Sequence, residues 1–303
     1  MYGLSALPIL LDGHVVSPVH DIPLLADRDS GGVLNMIVEI PRWTNAKMVV
    51  TDETMNPIEQ ETRKGHPRFV RNCFPHHGYI WNCGIFPQTW DNLTVAHSEM
   101  RRSKGDGGPL AVCEIGEQVG YIGQVKQVKV LGAISLHLAK GVIDWKILAI
   151  DINDPLAPRL KDINDVERLL PGLVSATKEW FRIYELPDGY AENSLAFGGQ
   201  ARGRNYTNAT ISRCHKGWYR LIMEEDSTGN NAHGVYTHNI SFDGSSRHTA
   251  NDNNEYLKLP PTSKMTPAPM KKSISKSFHI MDARICEECL WLTSGLLLID
   301  EDS

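Results

Sequence analysis

The chain has 303 residues, of which 41% are hydrophobic and 22% are charged, and its formal net charge is −5. This composition is typical of a globular protein with one large domain and a sizeable buried core. The negative charge argues against a protein that coats nucleic acid, because binding to the phosphate backbone requires a basic surface. The apolar stretch 4–11 follows no basic region, and the apolar stretch 290–299 is too short to span a bilayer. We therefore predict a cytoplasmic protein with neither a nucleic acid nor a membrane among its partners.

Five segments of the first half are short, rich in valine and isoleucine, and bounded by glycine, proline or aspartate. These features predict β-strands. No helical periodicity separates the segments, which favours a small closed barrel over a sheet with helical crossovers. The predicted strands are 36–40, 47–51, 111–115, 119–136 and 144–151.

Two helices are predicted after the strands, over 173–186 and 207–224, because apolar side chains recur there at helical spacing. Beyond them the composition changes to Asn, Ser, Thr, Gly and Pro, which indicates a surface excursion that is partly disordered. The predicted organisation is a barrel domain with an N-terminal extension over 1–225, a polar excursion over 226–272 and a C-terminal tail over 273–303.

The six cysteines include one closely spaced pair, Cys286 and Cys289. A structural zinc site needs a second such pair, which the sequence lacks. Scattered thiols in a reduced intracellular protein are therefore the preferred interpretation, and a zinc site is the alternative.

Five longer motifs carry more information than the composition does. They read VEIPRWTNAK at 38–47, RFVRNCFPHHGY at 68–79, IGQVKQVK at 122–129, DWKILAIDINDP at 144–155 and EWFRIY at 179–184. Together these motifs resemble the eukaryotic soluble inorganic pyrophosphatases of family I, including the fungal ones. The resemblance implies a mainly β fold with α-helices, in which a five-stranded OB-like β-barrel is flanked by helices.

The same resemblance implies a homodimer. Arg42, Trp43 and His77 match interface residues of the family, whereas the aromatic residue expected near the C-terminus is Ser277 here. We therefore expect a second copy of the chain as a partner.

Hydrolysis of pyrophosphate needs divalent metal ions, which neutralise the phosphate oxygens and convert a bound water into hydroxide. Magnesium requires oxygen ligands, and the family supplies them in the pattern Asp-x-Asp-Pro-x-Asp. The matching segment reads DGGPLA here, so that Asp106 is present while Gly108 and Ala111 stand where the second and third carboxylates are expected. Together with Asp144, Asp106 is predicted to hold at most one weakly bound ion. The expected cofactor is accordingly a single Mg²⁺ or none.

Further positions depart from the family in the same direction. Val49 replaces a glutamate, Cys83 a tyrosine and Glu185 a lysine, and either Leu138 or Ala139 stands where a metal-binding aspartate is expected. Most of these changes remove bulk, charge or both. The cleft is therefore predicted to be roomier and less acidic, with a degenerate catalytic centre and space for an apolar ligand.

The predicted site combines the surviving family residues with the altered positions. The candidate catalytic groups are Asp106, Asp144, Tyr79 and Glu185. The candidate substrate-binding positions are Lys47, Arg68, Lys146, Tyr184, Glu39, Val49, Cys83, Gly108 and Ala111.

Several of these assignments have a purely structural alternative. Asp106 lies in a glycine-rich run that also favours a turn. Lys47 and Arg68 belong to residue types that are usually solvated at the surface. Val49 and Cys83 are also suitable packing residues.

Three functional hypotheses follow. The favoured one is a biosynthetic enzyme repurposed for an organic substrate, which carries out acid–base chemistry such as isomerisation, cyclisation or elimination and has lost ordinary pyrophosphate hydrolysis. Its ligand is a small organic molecule or a diphosphate-bearing one. The alternatives are a non-catalytic binding or partner protein and a divergent but active Mg²⁺-dependent inorganic pyrophosphatase.

Overall fold

The computed structural model describes residues 9–11, 14–27, 31–93, 103–138, 141–223, 236–245, 247–248, 268–272 and 274–280. The strands in these ranges are β1 (Ile9–Leu11), β2 (His14–Val16), β3 (Val33–Ile40), β4 (Met48–Val50), β5 (Ile58–Gln60), β6 (Thr62–Arg63), β7 (His66–Pro67), β8 (Asn72–Cys73), β9 (Asn82–Ile85), β10 (Ala111–Glu114), β11 (Val125–Leu138), β12 (Val142–Asp151), β13 (Ser194–Leu195), β14 (Arg202–Gly203) and β15 (Ser277–Phe278). The α-helices are α1 (Ile163–Leu169), α2 (Leu173–Ile183) and α3 (Arg204–Met223), and short 3-10 helices cover Leu186–Asp188 and Phe197–Gly199.

Five strands of the largest sheet are paired in a cycle. β12 pairs with β10, β10 with β9, β9 with β3, β3 with β11, and β11 again with β12. The pairing of β10 with β12 is parallel and the other four are antiparallel. The short strands β13 and β14 extend the sheet along β11. The mainly β architecture with helices is confirmed, and the five-stranded barrel stays a prediction beyond these pairings.

Alternate residues of the strands belong to two separate hydrophobic clusters, as the two-residue period of a strand requires. In β10, Val112 belongs to one cluster and Cys113 to the other. Helix α2 contributes Trp180 to the cluster that contains Cys113, and α3 contributes Ile211 to the cluster that contains Val112. The two helices therefore cover opposite faces of the sheet.

The contact between β3 and β9 leaves no room for a side chain at Gly84. A Cβ atom at this position would lie 1.8 Å from the carbonyl oxygen of Ile37. The register of β3 shifts between Val38 and Ile40, so that Glu39 has no partner across the strands. Because a bulge re-aims the side chain of the extra residue, this irregularity sets the direction of Glu39.

The five predicted strands are all present, but their ends differ from the prediction. The longest begins at Val125 instead of residue 119, because a turn occupies 121–124, where the Gln124 amide donates to the Tyr121 carbonyl and Gly123 has a φ of +82°. Helix α2 ends at Ile183, before the 3-10 helix that contains Pro187, and α3 begins at Arg204, three residues earlier than predicted.

The described part of the predicted polar excursion packs against the body of the protein. Thr237 and Asn239 are buried, and the Ser241 hydroxyl donates a 2.7 Å hydrogen bond to Oδ1 of Asp21. Parts of 236–245 and 247–248 are therefore packed against the rest of the protein, and the predicted division of the chain stays a prediction. Most of 249–272, and the tail beyond residue 280 with Cys286 and Cys289, lie outside the described residues.

In the described part of the chain, no helix has the length and apolar character needed to cross a membrane. The cytoplasmic location stays a prediction.

Candidate functional site

Strand register brings the predicted site residues of β9, β10 and β12 to one face of the sheet. Ala111 lies opposite Lys146 on one side and opposite Ile85 on the other, and Cys113 lies opposite Cys83. Because side chains two residues apart point to the same face, Asp144 shares this face with Lys146. The site is therefore built on the cluster that α2 covers.

Lys146 and Asp144 form an ion pair at this face. The Lys146 ammonium lies 2.8 Å from Oδ2 of Asp144, and both side chains are mostly buried. Although burial lowers the pKa of Lys146, the carboxylate of Asp144 and the nearby Tyr184 raise it above the ordinary value. The Lys146 ammonium also lies 5.6 Å from the centre of the Phe181 ring. Lys146 thus remains a cation at physiological pH.

Arg68 is held by two carboxylates. Its Nη1 atom donates to both carboxylate oxygens of Glu61, at 2.9 and 3.1 Å, and its Nη2 atom donates to Oε1 of Glu185 at 2.6 Å. Burial lowers the pKa of Arg68, but Glu61 and Glu185 raise it overall. Glu185, predicted as a catalytic group, is therefore an ion-pair partner of a predicted substrate-binding cation.

Tyrosines form the wall next to these cations. The Tyr184 ring stacks on Trp180 at 4.9 Å, and the Tyr79 ring lies 5.2 Å from the same indole. Burial raises the pKa of both phenols, while the charge of Lys146 partly lowers it. Both hydroxyl groups therefore keep their protons and can donate hydrogen bonds to an anion.

Two further residues complete the site, Glu39 from β3 and Lys47 from the segment that precedes β4. The Lys47 ammonium lies 5.9 Å from the centre of the Tyr79 ring. Glu39 is buried and accepts a 2.7 Å hydrogen bond from the Val50 amide. Burial raises the pKa of Glu39, and the charges of Lys47 and Lys146 act against this rise.

Asp106 begins a turn, which is the structural role that its glycine-rich surroundings also favour. Its Oδ1 atom accepts a 3.0 Å hydrogen bond from the Gly108 amide, and Gly107 has a φ of +80°. Burial and the charge of Asp144 raise the pKa of Asp106 to about 6. The residue is nevertheless exposed to water at the surface of the cleft, so solvent screens part of this effect. Asp106 is thus both a turn residue and a neighbour of Asp144.

The replaced positions occupy different surroundings. Val49 is half-buried in β4, opposite Glu59 of β5. Cys83 packs against the same hydrophobic cluster as Cys113, as its structural alternative predicts. A Cβ atom at Gly108 would meet only Oδ1 of Asp106, at 3.6 Å, so this position has open space.

Leu138, a further replaced position, is partly buried at the end of β11 and packs against the cluster that α2 covers. Ala139 lies outside the described residues.

One Mg²⁺ fits the donor set of this site. Within the described ranges, no three His, Cys, Asp or Glu side chains form a group that could hold a metal ion. Asp106 and Asp144 are nevertheless two carboxylates of the same predicted site, and the charge of Asp144 raises the pKa of Asp106. Magnesium is commonly held by one or two carboxylates together with phosphate oxygens and water.

Sequence reasoning missed two residues of the site. Glu61 accepts two hydrogen bonds from Arg68, and the Trp180 ring packs against both tyrosine rings. The pairing of Glu61 depends on the short β6–β7 hairpin, where the Arg68 amide donates to the Glu61 carbonyl. Strands of two residues are too short to show a hydrophobic period, so the sequence does not indicate this pairing. Trp180, in contrast, lies in the motif EWFRIY and could have been identified there.

The three predicted dimer residues differ in exposure. Arg42 is buried, and its guanidinium lies 4.9 Å from the centre of the Trp81 ring. Trp43 is 57% exposed, and His77 is also exposed. Arg42 therefore supports its own chain, and Trp43 and His77 remain available for a partner.

Cations, tyrosines and carboxylates lie together on this face, a combination that is typical of proteins that bind a small phosphate anion with a divalent metal. The sequence pattern of the inorganic pyrophosphatases matches residues 36–219, and the chain belongs to that family. An inorganic pyrophosphatase from Neurospora crassa is 52% identical over 90% of this chain and 91% of its own length. One from Schizosaccharomyces pombe is 52% identical over 89% of this chain and 90% of its own length.

Solved structures agree with this assignment. The inorganic pyrophosphatase of Schistosoma japonicum has a TM-score of 0.78 and 35% identity, covering 90% of this chain and 95% of its own. A truncated vacuolar soluble pyrophosphatase of Trypanosoma cruzi, solved in complex with PPi, has a TM-score of 0.63 and 38% identity, covering 69% of this chain and 80% of its own. The resemblance to fungal inorganic pyrophosphatases is thereby confirmed, and the fold is the OB-like pyrophosphatase fold.

The hypothesis of an enzyme repurposed for an organic substrate is wrong. Inorganic pyrophosphatases that are 52% identical over 90% of the chain support ordinary pyrophosphate hydrolysis. The physical reason lies in the groups that remain, because Arg68, Lys146, Tyr79 and Tyr184 keep a charged and hydrogen-bonding wall. The prediction placed too much weight on the small replacements and too little on these four residues.

Proposed function

We propose that the chain is an Mg²⁺-dependent inorganic pyrophosphatase that binds pyrophosphate between its cationic wall and Asp106 and Asp144. The observation that carries this proposal is the pairing of Lys146 with Asp144 at 2.8 Å, which joins the cations to the carboxylates. The fungal relatives are inorganic pyrophosphatases, and the Trypanosoma cruzi neighbour was solved with PPi.

In this proposal the cations and tyrosines bind the substrate. Lys146, Arg68 and Lys47 neutralise phosphate oxygens, as ammonium and guanidinium groups do in phosphate sites. Tyr79 and Tyr184 donate hydrogen bonds, since their raised pKa values keep both phenols protonated. These interactions orient the substrate beside the carboxylates.

Asp106 and Asp144 would hold one Mg²⁺, and the phosphate oxygens and water complete its coordination. When bound, the ion supplies charge neutralisation and an acidified water. Asp144 also pairs with Lys146, so that it orients this cation towards the same phosphate. The Asp106 carboxylate accepts a hydrogen bond from the Gly108 amide and is exposed to water.

We further propose that the reduced carboxylate set lowers the affinity for metal. Gly108 and Ala111 provide no side-chain oxygen, so water has to replace two protein ligands. The chain should therefore need more Mg²⁺ for half-maximal turnover than a relative with the full pattern. This is the sense in which the catalytic centre is degenerate.

The test is phosphate release from pyrophosphate, measured while Mg²⁺ is varied from micromolar to tens of millimolar. We expect turnover that saturates with both Mg²⁺ and pyrophosphate. Asp144→Asn should raise the Mg²⁺ requirement and Lys146→Met should raise KM, whereas Asp243→Asn, whose side chain is 95% exposed, is the control. No phosphate release at any Mg²⁺ concentration would refute the proposal.

The homodimer is the second part of the proposal. Trp43 is 57% exposed and Phe74 is 60% exposed, so both offer apolar surface, and the Trp43 amide donates to the Tyr79 carbonyl. An interface at this surface would lie next to Tyr79.

A further inference from the structure

Two thiols face each other beneath the candidate site. Cys83 of β9 and Cys113 of β10 are register partners, and their sulfur atoms are 4.0 Å apart. The charge of Lys146 lowers the pKa of Cys113, and the charge of Asp144 raises it. Charged residues of the candidate site therefore act on this pair of thiols.

The two cysteine residues differ in their exposure to solvent. Cys113 is 1% exposed, whereas Cys83 is only partly buried. The Cys83 contact and burial raise the pKa of Cys113, so Cys113 stays protonated in the reduced pair. An oxidant that enters from solvent would accordingly meet Cys83 first.

The other described cysteines have different sulfur contacts. The Cys73 thiol donates to the Ile183 carbonyl at 3.5 Å, and the Cys214 thiol donates to Oδ1 of Asp91 at 3.6 Å. The short sulfur–sulfur contact thus distinguishes Cys83 and Cys113 from these two.

We propose that Cys83 and Cys113 form a peroxide-sensitive modification site, in which Cys83 is oxidised first and Cys113 then closes a reversible disulfide bond between β9 and β10. Directly opposed residues of antiparallel strands have Cβ atoms about 4.5–5.5 Å apart, close to the separation that a disulfide requires. The sulfur atoms need to approach by about 2 Å to reach bonding distance, which rotation of the two side chains can provide.

The chemistry is balanced with hydrogen peroxide as the oxidant. The Cys83 sulfur attacks one peroxide oxygen, the O–O bond breaks, and the released hydroxide takes the thiol proton to form water and Cys83 sulfenic acid. The Cys113 sulfur then attacks the Cys83 sulfur, the S–O bond breaks, and the Cys113 proton leaves with the oxygen as a second water. Two thiols are oxidised to one disulfide, and one peroxide is reduced to two waters.

A functional consequence follows, and it rests on the proposed function. Lys146 of β12 lies opposite Ala111 of β10, and Ala111 precedes Cys113 by two residues on the same face. A disulfide would therefore tie β9 to the strand that pairs directly with the strand of Lys146. We expect oxidised protein to release phosphate more slowly, and reduction with dithiothreitol to restore the rate.

Peptide mapping by mass spectrometry tests the site in the full chain. After treatment with hydrogen peroxide and blocking of free thiols, we expect a cross-linked peptide pair that contains Cys83 and Cys113 and has lost two hydrogen atoms. Cys286→Ser/Cys289→Ser protein should give the same cross-link, which separates it from the closely spaced C-terminal pair. Cys113→Ser should stop at a Cys83 sulfenic acid that dimedone traps, and Cys214→Ser should behave as wild type.

Three results would overturn the proposal. They are oxidation of Cys83 to sulfinic acid while Cys113 remains a free thiol, a disulfide from Cys83 to a different cysteine, and unmodified Cys83 and Cys113 when other thiols are oxidised. Phosphate release is a separate measurement. If the cross-link forms without a change in turnover, the functional consequence is wrong and the modification site stands; if reduced protein has no turnover, the proposed function fails while mapping still decides the disulfide.

Discussion

Arg68 has two carboxylate partners before any substrate arrives. Glu61 takes Nη1 and Glu185 takes Nη2, and the Arg68 side chain is only 12% exposed. A pyrophosphate ion that binds Arg68 has to displace or share these contacts. Under the proposed function, Glu185 therefore competes with the substrate for Arg68.

The first prediction concerns this competition. Glu185→Gln removes the negative charge and keeps the size of the side chain, so KM for pyrophosphate should fall by about threefold to tenfold, the range of one partly buried ion pair. Steady-state phosphate release at saturating Mg²⁺ measures it. Glu192→Gln, which removes a surface partner of Arg182, is the matched control and should leave KM unchanged. A higher KM for Glu185→Gln would show that Glu185 supports the site instead.

Gly108 offers the most direct test of the missing carboxylates. The space around its missing Cβ is open, with Oδ1 of Asp106 at 3.6 Å as the nearest atom. Gly105 and Gly107 differ, because a Cβ at Gly105 would lie 2.4 Å from the Asp91 carbonyl oxygen and Gly107 has a φ of +80°. A side chain can therefore be added at Gly108 without rebuilding the turn.

The second prediction is that Gly108→Asp lowers the Mg²⁺ concentration for half-maximal turnover by about tenfold, or ~1.4 kcal/mol, the order expected for one added charged ligand. Phosphate release as a function of Mg²⁺ measures the change. Gly108→Ala adds the same Cβ without a carboxylate and should leave the Mg²⁺ requirement as it is. Equal behaviour of the two variants would contradict the metal assignment.

The third prediction follows from the raised pKa of Asp106, about 6. The unfolded chain ionises this carboxyl near its ordinary pKa, whereas the folded protein keeps the proton to higher pH. The folded state therefore binds more protons between these two pKa values, and the contribution of Asp106 to stability falls as pH rises through this window. Asp106→Asn should remove this dependence, so the difference in unfolding free energy between wild type and variant should shift in favour of the variant from pH 4 to pH 7. Urea titrations at several pH values check the sign, and a pH-independent difference would contradict it.

At the scale of elements, Asp162 joins two helices. Its side chain caps α1 by accepting from the Asn164 amide, and its Oδ2 atom accepts a 2.8 Å hydrogen bond from the Arg204 amide at the start of α3. One carboxylate therefore satisfies the N-termini of two helices, where unpaired amides are normally exposed.

The fourth prediction is that Asp162→Ala lowers the free energy of unfolding by about 1–2 kcal/mol, because it removes an N-cap and the bond to Arg204 together. Asp162→Asn keeps a good capping residue and should cost less. Urea denaturation measures both, with Lys161→Ala, an exposed neighbour, as the control. A loss for Asn as large as that for Ala would show that the charge, and not the cap, matters.

The longest elements could be predicted from sequence, whereas the strands of two residues could not. β11 and α2 have enough residues to display their periods, so their existence was clear although their ends moved. The hairpin of β6 and β7 has two residues in each strand and depends on contacts that form only in the folded chain. The comparison with the family points to Arg68 and Glu185 as site residues, but their ion pair spans 117 positions and no local pattern indicates it.

At the scale of the whole molecule, the family assignment depended on long motifs, whereas the functional error came from reading single replacements. Gly108 and Ala111 change the expected metal ligands, but Lys146 is still paired with Asp144, Arg68 with Glu185, and both tyrosine rings still pack against Trp180. A sequence displays each replacement clearly and does not display the contacts that remain around it.

The fifth prediction concerns the assembly. Trp43 is 57% exposed although it lies beside the buried Arg42, whose guanidinium is 5.6 Å from the centre of its ring. A large aromatic ring that is held in place but exposed is a typical central contact of a protein interface, where truncation commonly costs about 2 kcal/mol or more. We therefore expect wild type to be a dimer at micromolar concentration and Trp43→Ser to shift towards monomer by at least tenfold in Kd. Sedimentation velocity over a dilution series measures this shift, with Tyr121→Ser as the control, since Tyr121 is 66% exposed and lies in the turn before β11. Monomeric wild type, or an equal loss of dimer in the Tyr121 variant, would contradict an interface at Trp43. Because the Trp43 amide donates to the Tyr79 carbonyl, loss of the dimer should also loosen the tyrosine wall and raise KM for pyrophosphate.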